Sequence, residues 1–472
     1  MSTPPPVRSI TIIGGGFAGA VAAIKLLDEA ASRLEITLVE SRSSVGRGLA
    51  YGTPDPNHLV NGPARIFGLH PERPDHLVDW LRAHGAAEGW SLPADLPDAS
   101  PPRWLYGTYV QSELRRAVAE ARGRSSLRIV TDRAAALVRE AGGLVVRTAA
   151  GHLVRSGAVV LATGVFQAAP TSEEKALAEM GLYLPNPWDA AAFDGLADAD
   201  SLLLIGSSLS MVDAVASLEA RGYRGRYTVV SRRGQVVDAR QAGPVEAWRD
   251  FLGAAPLPRS ARALLGRVKA ERRAIAAAGI DWQGLPVSIK PHLKTLWHGA
   301  SDRERLRFAR HLRSFWDVTA HRAAPESYAA VARARAEGRL VTRAGRVLAM
   351  AAAGPGVDIA WRMRGASTVD RLLVDAVINC RGHQLHDWRR IDDPFIRGLL
   401  ADGLVRPHST GFGIAATEAG EVLDGLGRVQ PDLLAIGHPL RGVSWESSSI
   451  GEQLAQAIAL AQHLTVRQFE SA

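Results

Sequence analysis

The sequence predicts an α/β protein made of two Rossmann-like dinucleotide-binding domains with β-meanders and a helical insertion. Three observations predict it. First, SITIIGGGFAGAV at 9–21 and LLLIGSSLSMVD at 202–213 each run an apolar strand into a tight turn and on into an apolar helix. Second, each turn is followed by short alternating strands and an apolar run that ends in glycine, at 135–164 (LATG) and at 340–382 (INCRG). Third, 245–335 carries helical periodicity, many Trp and Arg residues and no strand signal. The repeat is one of pattern and not of residues.

Composition sets the outer bounds. The 472 residues allow two large domains, and 46% apolar with 22% charged residues is an ordinary globular balance. The single cysteine, Cys380, excludes an internal disulfide and a cysteine-based metal cluster. It follows the apolar run LLVDAVIN and reads as a buried small hydrophobe. The histidines show no ligand spacing, so no metal is expected. MSTPPPVRS lacks the apolar stretch of a secretory leader, and no run reaches membrane-spanning length, so a cytoplasmic protein is expected. The net charge of +8 is spread over scattered arginines without a nucleic-acid motif. It predicts solvated helix faces and suits an anionic small-molecule substrate rather than nucleic acid or membrane.

The first turn is a G-x-G-x-x-G with Gly14, Gly16 and Gly19. Gly14 permits the turn, Gly16 admits a pyrophosphate to the backbone, and Gly19 lets helix and strand pack closely. The helix N-terminus then offers free N–H groups and a positive dipole end to the phosphates. Glu40 ends the next strand, LEITLVE, and is placed to accept ribose hydroxyls. The loop SRSSVGRGLAYGT (41–53) adds Arg47, a guanidinium suited to a pyrophosphate. So long a second loop fits FAD better than NAD alone. Asn61, Gly164 at the end of LATG, and Gly437 after the strand LLAI complete the expected FAD contacts.

The second turn keeps Gly206 but has Ser208 and Met211 where glycines would stand. Serine still allows close approach and donates a hydroxyl. The following strand ends in Ser231, Arg232 and Arg233 instead of an acid. Arginine there suits a 2′-phosphate, so NAD(P)H, with NADPH preferred, is the expected second cofactor. The predicted FAD-binding domain is discontinuous, 1–199 and 371–472. The predicted NAD(P)-binding domain is 200–370, with the insertion at about 245–335.

Together GGGFAG, VGRGLAYGT, HLVNGPA, PRWLYGTYV, LATG, NPWD, IGSSLSMVD, VSRRG, FWDVTAHRAAP and SWESSSIGEQLAQA resemble the bacterial FAD/NAD(P)-binding monooxygenases. That family includes FAD-dependent urate hydroxylases and L-aspartate N-monooxygenases, and chain length leans toward the urate type. Cys380-Arg381 before Gly382 departs from the smaller pair usual in this architecture. The resemblance implies a single-component flavin enzyme: NAD(P)H reduces FAD, O2 is consumed, and one oxygen atom passes to the substrate. With urate the product would be 5-hydroxyisourate; the alternatives are N-hydroxylation of an amino acid such as aspartate, and a flavin electron-transfer or regulatory protein without oxygenase activity. Lys290, His292 and Arg322, then Lys294, Trp297 and His321, are the candidates for binding or deprotonating the substrate. Arg103 and Trp188 are candidates for lining the flavin cavity.

Overall fold

The computed structural model describes residues 8–466 apart from 31–32, 142, 255 and 383–385. The N-terminal stretch 1–7 read above lies outside the described residues. The first unit begins with β1 (Arg8–Ile13), α1 (Phe17–Glu29) and β2 (Leu34–Glu40). Then come α2 (His76–His84), α3 (Arg103–Glu120) and β3 (Ser126–Thr131). A meander of β4 (Ala134–Glu140), β5 (Gly143–Thr148) and β6 (Leu153–Ser156) leads to β7 (Ala158–Leu161). The helix α3 starts at Arg103, directly after Pro102, whose fixed φ suits the residue entering a helix.

The second unit runs through α4 (Ser172–Glu179), β8 (Tyr183–Leu184), β9 (Ser201–Ile205), α5 (Leu209–Ala220) and β10 (Arg226–Ser231). The insertion contributes α6 (Ala261–Ala277), α7 (Gly284–Ile289), α8 (Leu293–Gly299), α9 (Asp302–His311) and α10 (Arg313–Ala320). The chain returns by α11 (Pro325–Ala336), β11 (Leu340–Ala353), β12 (Gly356–Met363), β13 (Asp370–Val374) and β14 (Ala376–Asn379). It re-enters the first unit with α12 (Pro394–Ala401), β15 (Glu421–Leu423), β16 (Val429–Ala435) and α13 (Ile450–Val466).

The first sheet has the order β15-β16-β7-β1-β2-β3, and the second has β13-β12-β11-β10-β9-β14-β8. In the first sheet β16, β7, β1, β2 and β3 are parallel neighbours. The central strands β7, β1 and β2 are largely buried, so their sequences are mostly apolar, whereas the edge strand β3 (SLRIVT) is largely exposed. Alternation then divides them. Ile10, Ile12, Val160 and Leu434 face α1, α3 and α13, while Val159, Leu161 and Leu433 face the meander and α12.

Two segments pair differently from the sequence reading. Tyr183–Leu184 and Ala376–Asn379, read there as part of the first domain, lie in the second sheet, where β14 joins β9 on one side and β8 on the other. The segment 325–336, read as the end of the insertion, is the crossover helix α11. Its Ala330, Val331 and Ala334 are buried in the same cluster as Val212 and Val215 of α5. A parallel β10–β11 pair needs a helical crossover on the sheet face, and α11 is the segment in position to supply it. The second meander also differs from the first. Its leading strand β11 is 14 residues long and stays in the main sheet, pairing with β10 at its start and β12 along the rest.

Candidate cofactor sites

A cavity of about 570 Å³ opens at the C-terminal ends of β1 and β2. Gly14, Gly16, Glu40, Arg47 and Gly164 line it, as the sequence reading expected of FAD contacts. Gly14 has φ +103°, and a Cβ there would stand 2.3 Å from the carbonyl oxygen of Ala162. A Cβ on Gly19 would stand 1.9 Å from the carbonyl oxygen of Gly14. Gly14 is therefore required by its positive φ and by backbone contact, and Gly19 by backbone contact alone.

Glu40 is already engaged. Its Oε2 accepts from the Gly15 N–H at 2.7 Å and its Oε1 from the Arg42 N–H at 3.0 Å. Ser41 Oγ also donates to Oε1 at 3.2 Å, and since a carboxylate has roughly four acceptor sites, room for about one ribose hydroxyl remains. Arg47 is pinned to α3: Nε donates to Gln111 Oε1 (3.2 Å), Nη1 to the Trp104 carbonyl (3.0 Å) and Nη2 to Thr108 Oγ1 (2.9 Å). The second N–H of each terminal nitrogen is left for a phosphate. Asn61 and Gly437 are not part of the cavity lining. Gly437 (φ +76°) instead packs against Ala18 and Gln453, where α1 and α13 meet.

The residues beyond those fit a polar dinucleotide. Thr163 Oγ1 and His438 Nδ1 are buried without a hydrogen-bond partner, and both residues line the cavity. Burial, and then the nearby Arg441 charge, push the His438 pKa down to about 3, so it is a neutral imidazole. Ser448, Ile450 and Gln453 bring the N-terminus of α13 to the same cavity, next to that of α1 at Gly16–Ala18. Two helix N-termini, one guanidinium and two unpartnered polar groups suit an anionic, hydroxyl-rich ligand such as FAD. Sequence reasoning missed Thr163 and His438. Each stands beside a glycine that ends an apolar strand run, LATG and LLAIG, and that was the available signal.

The second turn repeats the first in its backbone. Gly206 has φ +114°, and a Cβ there would stand 2.2 Å from the carbonyl oxygen of Cys380. Ala162 follows β7 and Cys380 follows β14, so each turn abuts the residue after its meander's closing strand. Ser208 caps α5 without using its side chain, which leaves the hydroxyl available. A separate cavity of about 550 Å³ lies past the end of β10. It is lined by Arg232, Arg233, Arg310, Arg346, Arg362 and Arg364, with no acidic residue. Arg233 is partly committed: it donates to the His311 carbonyl at 3.0 Å and stacks on Phe315 at 4.5 Å. Gly206 and Ser208 lie outside that lining.

The two units are joined by buried polar contacts. Arg103 Nη2 donates to Asp213 Oδ2 at 2.8 Å, and both side chains are almost fully buried. Trp188 Nε1 donates to the same oxygen at 3.0 Å, and Arg103 lies over the Trp188 ring at 4.8 Å. Arg103 and Trp188, read from the sequence as cavity candidates, are thus brought together at the α3–α5 contact and do not line the cavity.

The insertion rests on the loop before α13. Trp297 Nε1 donates to the Gly442 carbonyl and Trp316 Nε1 to Glu446 Oε1, both at 2.7 Å. Trp445 of that loop is buried among the insertion's Leu252, Ile275 and Leu285. Lys290, His292 and Arg322 line neither cavity. Lys290 is exposed, and His292 pairs with Asp250 at 2.8 Å. Lys294 pairs with Glu418 at 2.9 Å. Arg322 lies over Trp282 at 4.0 Å, and burial lowers its pKa to about 10. Among the described residues no helix is long and apolar enough to cross a membrane.

Comparison with known proteins agrees with this geometry. Residues 11–166 match the family model described as FAD-NAD(P)-binding. No curated protein matches the sequence. Among solved structures, the ornithine N-hydroxylase of Kutzneria sp. 744 is 14% identical, with TM-score 0.64 over 98% of this chain and 100% of that one. The cadaverine monooxygenase of Erwinia amylovora is 12% identical, with TM-score 0.67 over 98% and 95%. The L-lysine 6-monooxygenase of Pseudomonas syringae is 15% identical, with TM-score 0.59 over 98% and 99%. The chain has the two-unit fold of these flavin proteins. At such identities the likeness establishes architecture, and the chemistry is argued separately.

Proposed function

We propose that the protein is an FAD- and NAD(P)H-dependent monooxygenase that hydroxylates the nitrogen of a small amine or amino acid. The observation that carries the proposal is the pair of matched turns, Gly14 against Ala162 and Gly206 against Cys380, in one chain whose first cavity fits FAD. FAD, when bound and reduced by NAD(P)H, supplies transfer of one oxygen atom from O2. The chain's own residues do the rest. Gly14, Gly16 and the α1 N-terminus bind the pyrophosphate, and Arg47 neutralises it from a fixed position on α3. Glu40 holds the adenosine ribose. Thr163 and His438 bond the remaining polar edge of the ligand. The insertion, held by Trp297 and Trp316, keeps water from that side of the loop before α13. Arg232, at the end of β10, meets the 2′-phosphate of NADPH.

Amine oxygenation is preferred to urate because structures sharing this fold over 98% of the chain are described as an ornithine N-hydroxylase, a cadaverine monooxygenase and an L-lysine 6-monooxygenase. The urate reading rested on family resemblance and length. The test is turnover by the FAD-loaded protein with ornithine, lysine, cadaverine, aspartate and urate, assaying hydroxylamine product. Hydroxylamine from one of the amines supports the proposal. Urate consumption with no hydroxylamine from any amine refutes the nitrogen reading, and oxidation of NADPH that no substrate stimulates refutes the oxygenase.

A further inference from the structure

Away from both cavities, three ligand-capable side chains meet between α2, α3 and the loop before α2. They are His70, His76 and Glu113, and one donor atom from each lies within 4.8 Å of the others. His70 Nε2 is 2.7 Å from Glu113 Oε2, and His76 Nε2 is 3.9 Å from Glu113 Oε1. His70 and Glu113 are buried, and the His76 side chain is 15% exposed. In a tetrahedral site with metal–nitrogen bonds of about 2.0–2.1 Å, neighbouring donors stand about 3.3 Å apart. The two histidine–carboxylate separations bracket that value and all three donors lie within 4.8 Å of one another, so shifts of about 1 Å would close the site around an ion.

The other nitrogen of each imidazole is already held by an oxygen. His70 Nδ1 lies 3.2 Å from Glu72 Oε1, and His76 Nδ1 lies 2.8 Å from the Tyr109 hydroxyl. Tyr109 is itself fixed by accepting the Leu69 N–H at 3.0 Å. Ligating histidines characteristically have this support, which sets the tautomer and aims the ring. Ordinary hydrogen bonding accounts for the His70–Glu113 contact. It does not account for a second imidazole, also backed by an oxygen, set edge-on with its ring centre 4.3 Å from the first and turned to the same carboxylate.

We infer that His70, His76 and Glu113 bind a divalent first-row transition-metal ion, with one coordination position left for water. Neutral imidazoles and an ionised carboxylate are what such an ion requires. The neighbouring cations are balanced: Arg116 pairs with Asp28 and Glu120 as well as Glu113, and Lys25 pairs with Asp28. Arg73 is the remaining positive group facing His76. Glu113 keeps a lone pair for the metal while Arg116 Nε holds Oε2 at 2.9 Å. The ion joins α2 to α3, the helix whose Thr108 and Gln111 position Arg47, so its role is structural support of the cofactor wall. No ligand spacing was visible in the chain because Glu113 is 37 residues beyond His76 and comes near only when α3 packs beside α2.

The test uses the full-length, FAD-containing protein, stripped with a chelator and titrated with zinc chloride by calorimetry and with cobalt chloride by absorption. Expected are one zinc per chain, tetrahedral cobalt bands and a raised melting temperature. His76→Gln and Glu113→Gln should each weaken zinc at least about tenfold, while His84→Gln, an exposed histidine of α2, leaves it unchanged. No zinc heat and no cobalt bands in the wild-type protein would overturn the inference. So would zinc affinity equal to wild type in a folded His76→Gln variant. The wild-type titration decides the matter even where a variant fails to fold. FAD content and NADPH oxidation are read separately, so a failed metal test leaves the oxygenase proposal standing.

Discussion

Arg103 of α3 and Asp213 of α5 form an ion pair of 2.8 Å in which neither side chain is more than 6% exposed. It is one of the buried electrostatic links between the unit that fits FAD and the unit that fits NAD(P)H, beside Asp55–Arg221 and Asp98–Arg240. Removing one partner of a buried pair leaves an uncompensated charge and costs roughly 3–5 kcal/mol.

Arg103→Ala is therefore expected to lower stability by about that amount. Amide exchange should rise in α5 and around Leu59, whose carbonyl accepts from Arg103 Nε at 3.0 Å. Urea denaturation and hydrogen exchange check it. Unchanged exchange in α5 would show that apolar packing alone fixes the two units.

Gly14→Ala and Gly206→Ala should separate the two cofactors. Each places a Cβ within 2.3 Å of a carbonyl oxygen at a positive φ. Gly14→Ala is expected to lose FAD. Gly206→Ala should keep FAD, measured by its absorbance per chain, but lose reduction by NADPH.

Arg232→Ala is expected to raise KM for NADPH by about tenfold or more, as loss of one charge-assisted phosphate contact. KM for NADH should change little and bound FAD should be unaffected. An equal rise for both nucleotides would place the 2′-phosphate elsewhere.

Acid should loosen the contact between Asp98 and the segment leading into the insertion. Burial alone would raise the Asp98 pKa, but hydrogen bonds from Arg240 and Arg65 outweigh it and hold the value at about 2. A depressed folded pKa adds stability above the unfolded value, near 4, and that stability is lost as pH falls toward 2. Asp98→Asn should flatten the decline in urea midpoint between about pH 4 and pH 2.

Local pattern explains what the sequence showed and what it hid. Gly14, Glu40 and Arg47 were legible because a turn, a strand end and a loop lie close together in the chain. The exchange of Tyr183–Leu184 and Ala376–Asn379 into the second sheet was not, because strand pairing across nearly two hundred residues leaves no local period. Helix α11 had the same periodicity as the insertion and was separated only by its packing on α5. Lys290 and His292 drew attention as ionisable residues on helices, and each turned out exposed or paired. Thr163 and His438 were hidden because a polar residue beside a strand-ending glycine is common, and only burial without a partner distinguishes these two.

The central claim is that one chain holds two dinucleotides and passes electrons between them. The most direct measurement is anaerobic mixing of the FAD-loaded protein with NADPH, following flavin absorbance. The account predicts that FAD bleaches on mixing, and that Arg232→Ala slows this at low NADPH without changing FAD content. FAD that stays oxidised under saturating NADPH, in protein that retains it fully, would contradict the account.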